Sequence, residues 1–307
     1  MRKLFIDGQA GTTGLQIRER LLNRKDVELL DIPQSYRKNL DMRAKCINES
    51  DIAILCLPDQ SAREVVALAS SNVTIVDAST AHRTASGWVY GFPELGDVFK
   101  TSIVKSNRIA VPGCHACGFI SIVYPLIHER LLSNDADLSC FSLTGYSGGG
   151  KQMIAEYEDD KNFERLNAPR LYAIGQEHKH LREMQIICGL KNKPIFNPIV
   201  CNYYNGMATT VPIFSKNIKG LSASELTDFY LEYYSGDECR ISVKPSNEVV
   251  DNSLSADILK NSDKMTLCVS GVDGRLSITA LFDNLGMGAA GSAEKCINLI
   301  MTRDGGK

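Results

Sequence analysis

The chain has 307 residues, 44% of them hydrophobic, and its 34 basic residues nearly balance 36 acidic ones for a formal charge of −2. That length supports a sizeable core and makes two domains the natural expectation. The balanced charge leaves no electrostatic footprint for nucleic acid or an anionic membrane, so the expected partner is a small-molecule substrate. The start, MRKLFIDGQAG, holds only a three-residue apolar run before Asp7. This is too short for an export-signal core, and no apolar stretch reaches the ~18 residues that would span a bilayer. Ten cysteines without regular spacing suit a reducing compartment, so a cytoplasmic protein is expected.

Residues 3–7, KLFID, read as a short strand running into the loop GQAGTTG. A helix follows, with apolar positions at Leu15, Ile17, Leu21 and Leu22 between charges. VELLDI (27–32) reads as a second strand. DIAILCLP (51–58) is apolar on both faces, as in a central parallel strand; SAREVVALASS then supplies a helix and VTIVDAS (73–79) the next strand. RIAVPG (108–113) closes this series, and Cys114 opens a helix with a kink expected at Pro125. Alternating strands and helices predict a doubly wound parallel sheet, the Rossmann dinucleotide-binding class.

From about residue 137 the pattern changes to longer, partly alternating strands: DLSCFSLTGYS, KPIFNPIVCNY, MATTVPIF, CRISVKPS, MTLCVSGVDG and RLSITALFDN. They predict an inserted α+β domain. The tail from Gly288 is an amphipathic helix with Ala293, Ile297, Leu299 and Ile300 on its apolar side, expected to return to the first domain. The predicted division is 1–113 plus 285–307 for nucleotide binding and 114–284 for catalysis and dimerisation.

GQAGTTG places Gly8, Gly11 and Gly14 between the first strand and its helix. Glycines there allow a tight turn and close approach of backbone to a pyrophosphate, which the helix N-terminus stabilises. Gly8, Gly11, Thr12, Thr13 and Gly14 are therefore expected cofactor contacts. At the end of the second strand, Asp31 favours a free ribose 2′-hydroxyl, whereas Ser35, Arg37 and Lys38 favour a 2′-phosphate. The reading leans to NADP, with Ser35 and Arg37 as contacts.

In VPGCHACGF, Pro112 and Gly113 make a turn that sets Cys114 at a helix N-terminus, where the dipole and free N–H groups favour thiolate. Cys117, one turn on, leaves a redox pair or half a zinc site open, with His115 or the His178–His180 pair completing the ligands. A nucleophilic cysteine also needs an imidazole, and either His178 or His180 can serve. TGYSGGGKQM (144–153) reads as a glycine-rich loop for an anionic substrate, ending in Lys151. Near the end, Asn284 is a candidate for the nicotinamide carboxamide, and Gly286 and Gly288 leave room for the ring.

Taken together in order, GQAGTTG, DASTAHR (77–83), VPGCHACGF, GYSGGGK, EHKHLREM and FDNLGMGAAGSA resemble the N-acetyl-gamma-glutamyl-phosphate reductases of the shorter type, within the aspartate-semialdehyde dehydrogenase-like group. The resemblance spans the whole chain. It implies a Rossmann domain plus an α+β dimerisation domain, arginine biosynthesis as the setting, and a homodimer or homotetramer. It implies Cys114 as nucleophile through a thioester, His180 as the acid/base, and His178, Ser147, Lys151 and Arg83 as substrate contacts. In aspartate-semialdehyde dehydrogenases asparagine usually precedes the cysteine, whereas here Gly113 does. The longer type has an aromatic residue and a threonine where this chain has His115 and Cys117. The rival readings are aspartate-semialdehyde dehydrogenase and a zinc-binding nucleotide sensor using Cys114, Cys117 and the histidines.

Overall fold

Short apolar runs in the first third of the chain pair in parallel. The computed structural model describes residues 1–245, 248, 252–272 and 274–304. It divides into one unit of Met1–Pro112 with Ala289–Lys307 and a second of Gly113–Gly288.

In the first unit, β1 (Arg2–Asp7), β2 (Val27–Leu30), β3 (Ile52–Leu55), β4 (Thr74–Asp77), β5 (Val89–Tyr90) and β6 (Arg108–Ala110) form a sheet in the order β2-β1-β3-β4-β6-β5. Every pairing is parallel. β3 and β4 are buried along their whole length, which is why they read as unbroken apolar runs rather than alternating ones. Leu4, Ile6, Ile52 and Ile54 point to one face, where Ile17 and Leu21 of α1 (Thr12–Leu22) meet Ala293, Cys296, Ile297 and Ile300 of the C-terminal helix Gly291–Met301. Phe5, Ala53 and Leu55 point to the other, covered by Ile47 of α2 (Leu40–Asn48) and Ala62 and Val65 of α3 (Asp59–Leu68). The chain's last helix thus completes the first core, as its apolar stripe predicted. α4 (Asp97–Lys105) also belongs to this unit. Strand β2 stops at Leu30, earlier than expected, as the Asp31 carboxylate turns back to accept the Ile32 N–H at 2.9 Å.

The second unit carries a mixed sheet of β7 (Ser139–Gly145), β8 (Arg170–Leu171), β9 (Ile195–Cys201), β10 (Met207–Phe214), β11 (Ile241–Pro245), β12 (Met265–Val272) and β13 (Arg275–Phe282), in the order β11-β12-β13-β10-β7-β9-β8. β11–β12 and β7–β9 are parallel and the other pairings antiparallel. Ser246 and Asp273, within stretches predicted as strand, lie outside the described residues.

The helix α5 (Cys114–His128) is buried over most of its length. Gly118 lets it lie close to the sheet, since a methyl group there would meet Thr209 Cβ at 2.6 Å and the Phe282 ring at 2.8 Å. Pro125 has no N–H for the carbonyl four residues back. That carbonyl, on Ser121, instead accepts the Tyr234 hydroxyl at 2.6 Å, and Ile122 O accepts the Tyr230 hydroxyl at 2.7 Å, so the helix runs through the proline with its carbonyls satisfied. Tyr230 lies on α9 (Ala223–Tyr233). Phe141, Leu171, Ile195 and Phe214, which sit on sheet strands, are exposed.

The stretch 144–153, read as a loop, is ordered differently. A 3-10 turn, Tyr146–Gly149, leads into α6 (Gly150–Glu158), so Lys151 sits in a helical first turn. Short α7 (Phe163–Leu166) and α8 (His180–Cys188) follow, and α8 packs on α5.

Candidate active site

The glycine loop of the first unit leaves β1 beside β3, where the strand order reverses, the usual ligand crevice of an open parallel sheet. Gly8 has φ +87°, and a methyl group there would stand 2.3 Å from the Cys56 carbonyl oxygen just beyond β3. Gly11 N–H closes the turn onto Gly8 O at 2.9 Å. At Gly14 a methyl would be 2.4 Å from Gly8 O, so only glycine lets α1 begin this close to the loop. The helix N-terminus has no side-chain cap and no acidic residue in its first turn. Thr12 Oγ1 is buried there without a hydrogen-bond partner. Backbone donors, an uncapped positive dipole end and a hydroxyl awaiting a partner fit a pyrophosphate, with Thr13 in the same turn.

Beyond β2, the Asp31 carboxylate accepts Gln9 Nε2 at 2.6 Å, while Ser35 and Arg37 are exposed on and just after the turn Gln34–Tyr36. The sequence reading missed a buried ion pair under this loop: Arg43 Nε lies 2.9 Å from Asp7 Oδ2. Burial pushes the Asp7 carboxyl above its usual range despite Arg43. In DASTAHR, Asp77 accepts Ser79 Oγ and lies 2.6 Å from His82 Nδ1. Arg83 Nε donates to Val111 O and Nη2 to Ala78 O, which fixes its guanidinium at the ends of β4 and β6.

In the second unit Gly113 is the extended N-cap of α5 and Cys114 its first residue. The Gly113 N–H donates to Glu183 Oε1 on α8 at 2.7 Å. Cys114 is partly accessible, whereas Cys140 and Cys188 are buried and have thiol pKa values raised by that burial; in the first unit burial pushes Cys56 up to about 12. A methyl at Gly288 would lie 2.9 Å from Cys114 Cβ. Gly288 therefore makes room for the cysteine itself.

His178 and His180 stand together, ring centroids 4.7 Å apart, and His178 Nδ1 accepts the His180 backbone N–H at 3.2 Å where α8 begins. The His115 ring is 5.5 Å from His178 and 5.6 Å from His180, so the residue beside Cys114 touches both members of the H-x-H pair. Phe196 packs on His115 and His178, and Tyr172 closes the cluster. Burial, then the neighbouring charges of His178 and Lys179, lower the His115 pKa to about 3, so its imidazole is neutral.

Asn284 is anchored within this unit. Its Oδ1 accepts Gly206 N–H at 2.9 Å and its Nδ2 donates to Ser147 Oγ at 2.9 Å, so the carboxamide ties β13 to the ends of β7 and β10. Ser147 is buried by the same contact, and Lys151 is exposed. Asp283, unremarked in the sequence, accepts Leu285 and Gly286 N–H at 2.7 and 2.9 Å and shapes the loop that carries Gly288. The zinc and redox-pair readings lose their ligands. Cys117 is fully buried with Sγ 3.8 Å from Met287 O, His115 spends both nitrogens on Ser142 and Tyr172, and no metal-holding group of three or more His, Cys, Asp or Glu exists among the described residues.

Residues 114–284 match the family model described as semialdehyde dehydrogenase, dimerisation domain, and residues 4–100 match semialdehyde dehydrogenase, NAD binding domain. The N-acetyl-gamma-glutamyl-phosphate reductase of Brucella anthropi is 41% identical, the match covering 97% of this chain and 98% of that protein; that of Sinorhizobium medicae is 40% identical over 98% and 99%. The chain belongs to the N-acetyl-gamma-glutamyl-phosphate reductase family. Aspartate semialdehyde dehydrogenase II of Vibrio cholerae shares the fold with a TM-score of 0.75 at 18% identity, covering 99% of each chain. An aspartate semialdehyde dehydrogenase solved with NADP from Candida albicans does so at 0.68 and 12%, again over 99% of each. At those identities the likeness is one of fold alone.

Proposed function

We infer that the chain reduces N-acetyl-gamma-glutamyl phosphate to N-acetylglutamate 5-semialdehyde with NADPH, releasing phosphate, a step of arginine biosynthesis. The observation that carries this reading is about 40% identity to the named reductases over nearly the full length, joined to an accessible Cys114 at the start of a buried helix.

An acyl phosphate is already activated, so the chain's first task is capture. Cys114 sulfur attacks the acyl carbon, the carbon–oxygen bond to phosphate breaks, and the acyl group remains as a thioester. The glycine loop with Thr12 and Thr13 would hold the pyrophosphate of the nucleotide, and Ser35 and Arg37 its 2′-phosphate. When bound there, the nicotinamide would supply the hydride needed to reduce the thioester carbon. His180 either gives a proton to the resulting oxygen and takes it back as the carbon–sulfur bond breaks to release thiolate, or gives it to the sulfur, which then leaves as thiol; either way the aldehyde forms. His178, Ser147, Lys151 and Arg83 are assigned to the anionic groups of the substrate.

The exposed Phe141, Leu171, Ile195 and Phe214 support a homodimer, or a homotetramer built from it, assembled on the second unit's sheet. Ten cysteines without the regular spacing of a disulfide framework support a cytoplasmic setting. Among the described residues no helix is long and apolar enough to cross a membrane.

The test is phosphate-dependent oxidation of N-acetylglutamate semialdehyde, followed by nicotinamide absorbance, with aspartate semialdehyde and NAD as comparisons. Cys114→Ser abolishes turnover and leaves nucleotide affinity unchanged. Preference for aspartate semialdehyde, or full activity of Cys114→Ser, overturns the reading.

A further inference from the structure

Beside Cys114 runs a line of hydrogen bonds that capture and reduction leave unused. His115 is buried; its Nδ1 is 2.7 Å from Ser142 Oγ on β7, and its Nε2 is 2.6 Å from Tyr172 Oη. Ser142 Oγ continues the line to Thr209 Oγ1 on β10 at 2.8 Å. We propose that Tyr172 donates its hydroxyl hydrogen bond to the oxygen that gains charge when Cys114 is acylated, and that His115 is the positioning residue that holds Tyr172 for this. The proposal rests on the reading of Cys114 as nucleophile.

Proton counting sets the direction of the line. A neutral imidazole has one N–H, and each hydroxyl has one proton to give. One arrangement runs from Thr209 to Ser142 to His115 Nδ1, with Nε2–H donating to Tyr172 and the Tyr172 proton left to point outward. The reverse arrangement spends the Tyr172 proton on Nε2. A developing oxyanion stabilises the first, and no proton leaves the line. The neutrality this requires agrees with the lowered basicity of His115, and the phenol stays protonated because burial, and then Cys114, raise its pKa.

A side-chain donor here adds to the backbone N–H groups at the uncapped start of α5, of which the Gly113 N–H is not one. The Gly113 N–H, immediately before the nucleophile, is bound by Glu183. The backbone at and after Tyr172 is tied to the neighbouring strand. The Tyr172 N–H donates to Pro198 O at 3.1 Å, and Gln176 brackets Phe196 with 2.9 Å bonds to both its N–H and its carbonyl. Ala173 and Gln176 adopt φ of +49° and +58°, left-handed backbone that persists only where surroundings enforce it.

The experiment separates oxygen stabilisation from thiol reactivity. Acylation of Cys114 by p-nitrophenyl acetate, read as the p-nitrophenol burst without nucleotide, builds charge on oxygen; alkylation by iodoacetamide does not. Tyr172→Phe slows the burst about 10- to 1000-fold and alkylation less than about 3-fold. His115→Asn, which keeps an amide near Ser142 but stops short of Tyr172, slows the burst similarly; His115→Gln, which reaches Tyr172, recovers most of it. The double variant Tyr172→Phe/His115→Asn is no slower than Tyr172→Phe alone. Thermal melting checks that each variant is folded. An unchanged burst in Tyr172→Phe, a parallel fall of burst and alkylation, or multiplicative losses in the double variant overturns the proposal. Failure of the reductase reading shows separately, as a wild type that bursts normally yet does not turn over the N-acetylglutamyl substrate.

Discussion

Glu183 on α8 accepts the N–H of Gly113 at 2.7 Å, so a buried carboxylate fixes the residue just before Cys114. Removing an acceptor from a buried donor costs more than the bond itself contributes. Glu183→Ala is expected to lose about 1–3 kcal/mol in urea unfolding and about 10- to 100-fold in turnover through misplacement of the sulfur. Glu183→Gln, which keeps an oxygen, loses less on both measures.

Gly288→Ala places a methyl 2.9 Å from Cys114 Cβ and 3.3 Å from its Cα and from Asp283 O. Neither the cysteine on its helix nor the Asp283 carbonyl can retreat cheaply, so the iodoacetamide rate at Cys114 changes by about tenfold or more and activity falls about 100-fold. Gly175→Ala, where nothing lies within 4 Å, is the control and leaves both rates unchanged.

Thr12→Val has opposite effects with and without nucleotide. Thr12 Oγ1 is buried and lacks a partner, so losing it leaves the nucleotide-free protein as stable or slightly more so. If that oxygen awaits a phosphate, NADPH affinity by calorimetry drops about tenfold, the equivalent of one hydrogen bond to a charged group.

Arg37→Ala tests cofactor choice. Its guanidinium is exposed beyond β2, while Asp31 is engaged by Gln9. NADP affinity is expected to fall about 10-fold or more with NAD affinity held within about twofold, the mark of a lost 2′-phosphate contact.

His115 makes stability pH-dependent. Its pKa is lowered from 6.5 to about 3, so between those values the unfolded chain binds a proton that the folded one refuses. Stability is therefore intact above about 6.5 and is lost as pH falls, at ~1.4 kcal/mol per unit. His115→Met removes this loss; its deficit relative to wild type at neutral pH narrows by about 2 kcal/mol between roughly pH 7 and 5 in urea titrations.

The parallel sheet was legible because burial on both faces leaves unbroken apolar runs such as IAIL, and because the glycine spacing marks a turn that tolerates no Cβ at Gly8 or Gly14. Cys114 was legible from Pro112 and Gly113, which fix a helix start. Asn284 was less legible. An asparagine in a glycine-rich stretch looks the same whether it faces a ligand or braces Gly206 and Ser147, and only tertiary pairing reveals the bracing. Glu183 and Tyr172 lie 69 and 58 positions from Cys114 with no local pattern to mark them. Glu183 looks like a charge on an amphipathic helix, and its burial follows only from the packing of α8 on α5.

Trp88 is the chain's single tryptophan, half-buried in the first unit with its indole stacked 4.1 Å from the His82 ring. Intrinsic emission excited at the indole band therefore watches the first unit alone. Paired with tyrosine signals or cysteine labelling from the second unit, it tells whether the two melt as one cooperative block or in succession, without any introduced dye.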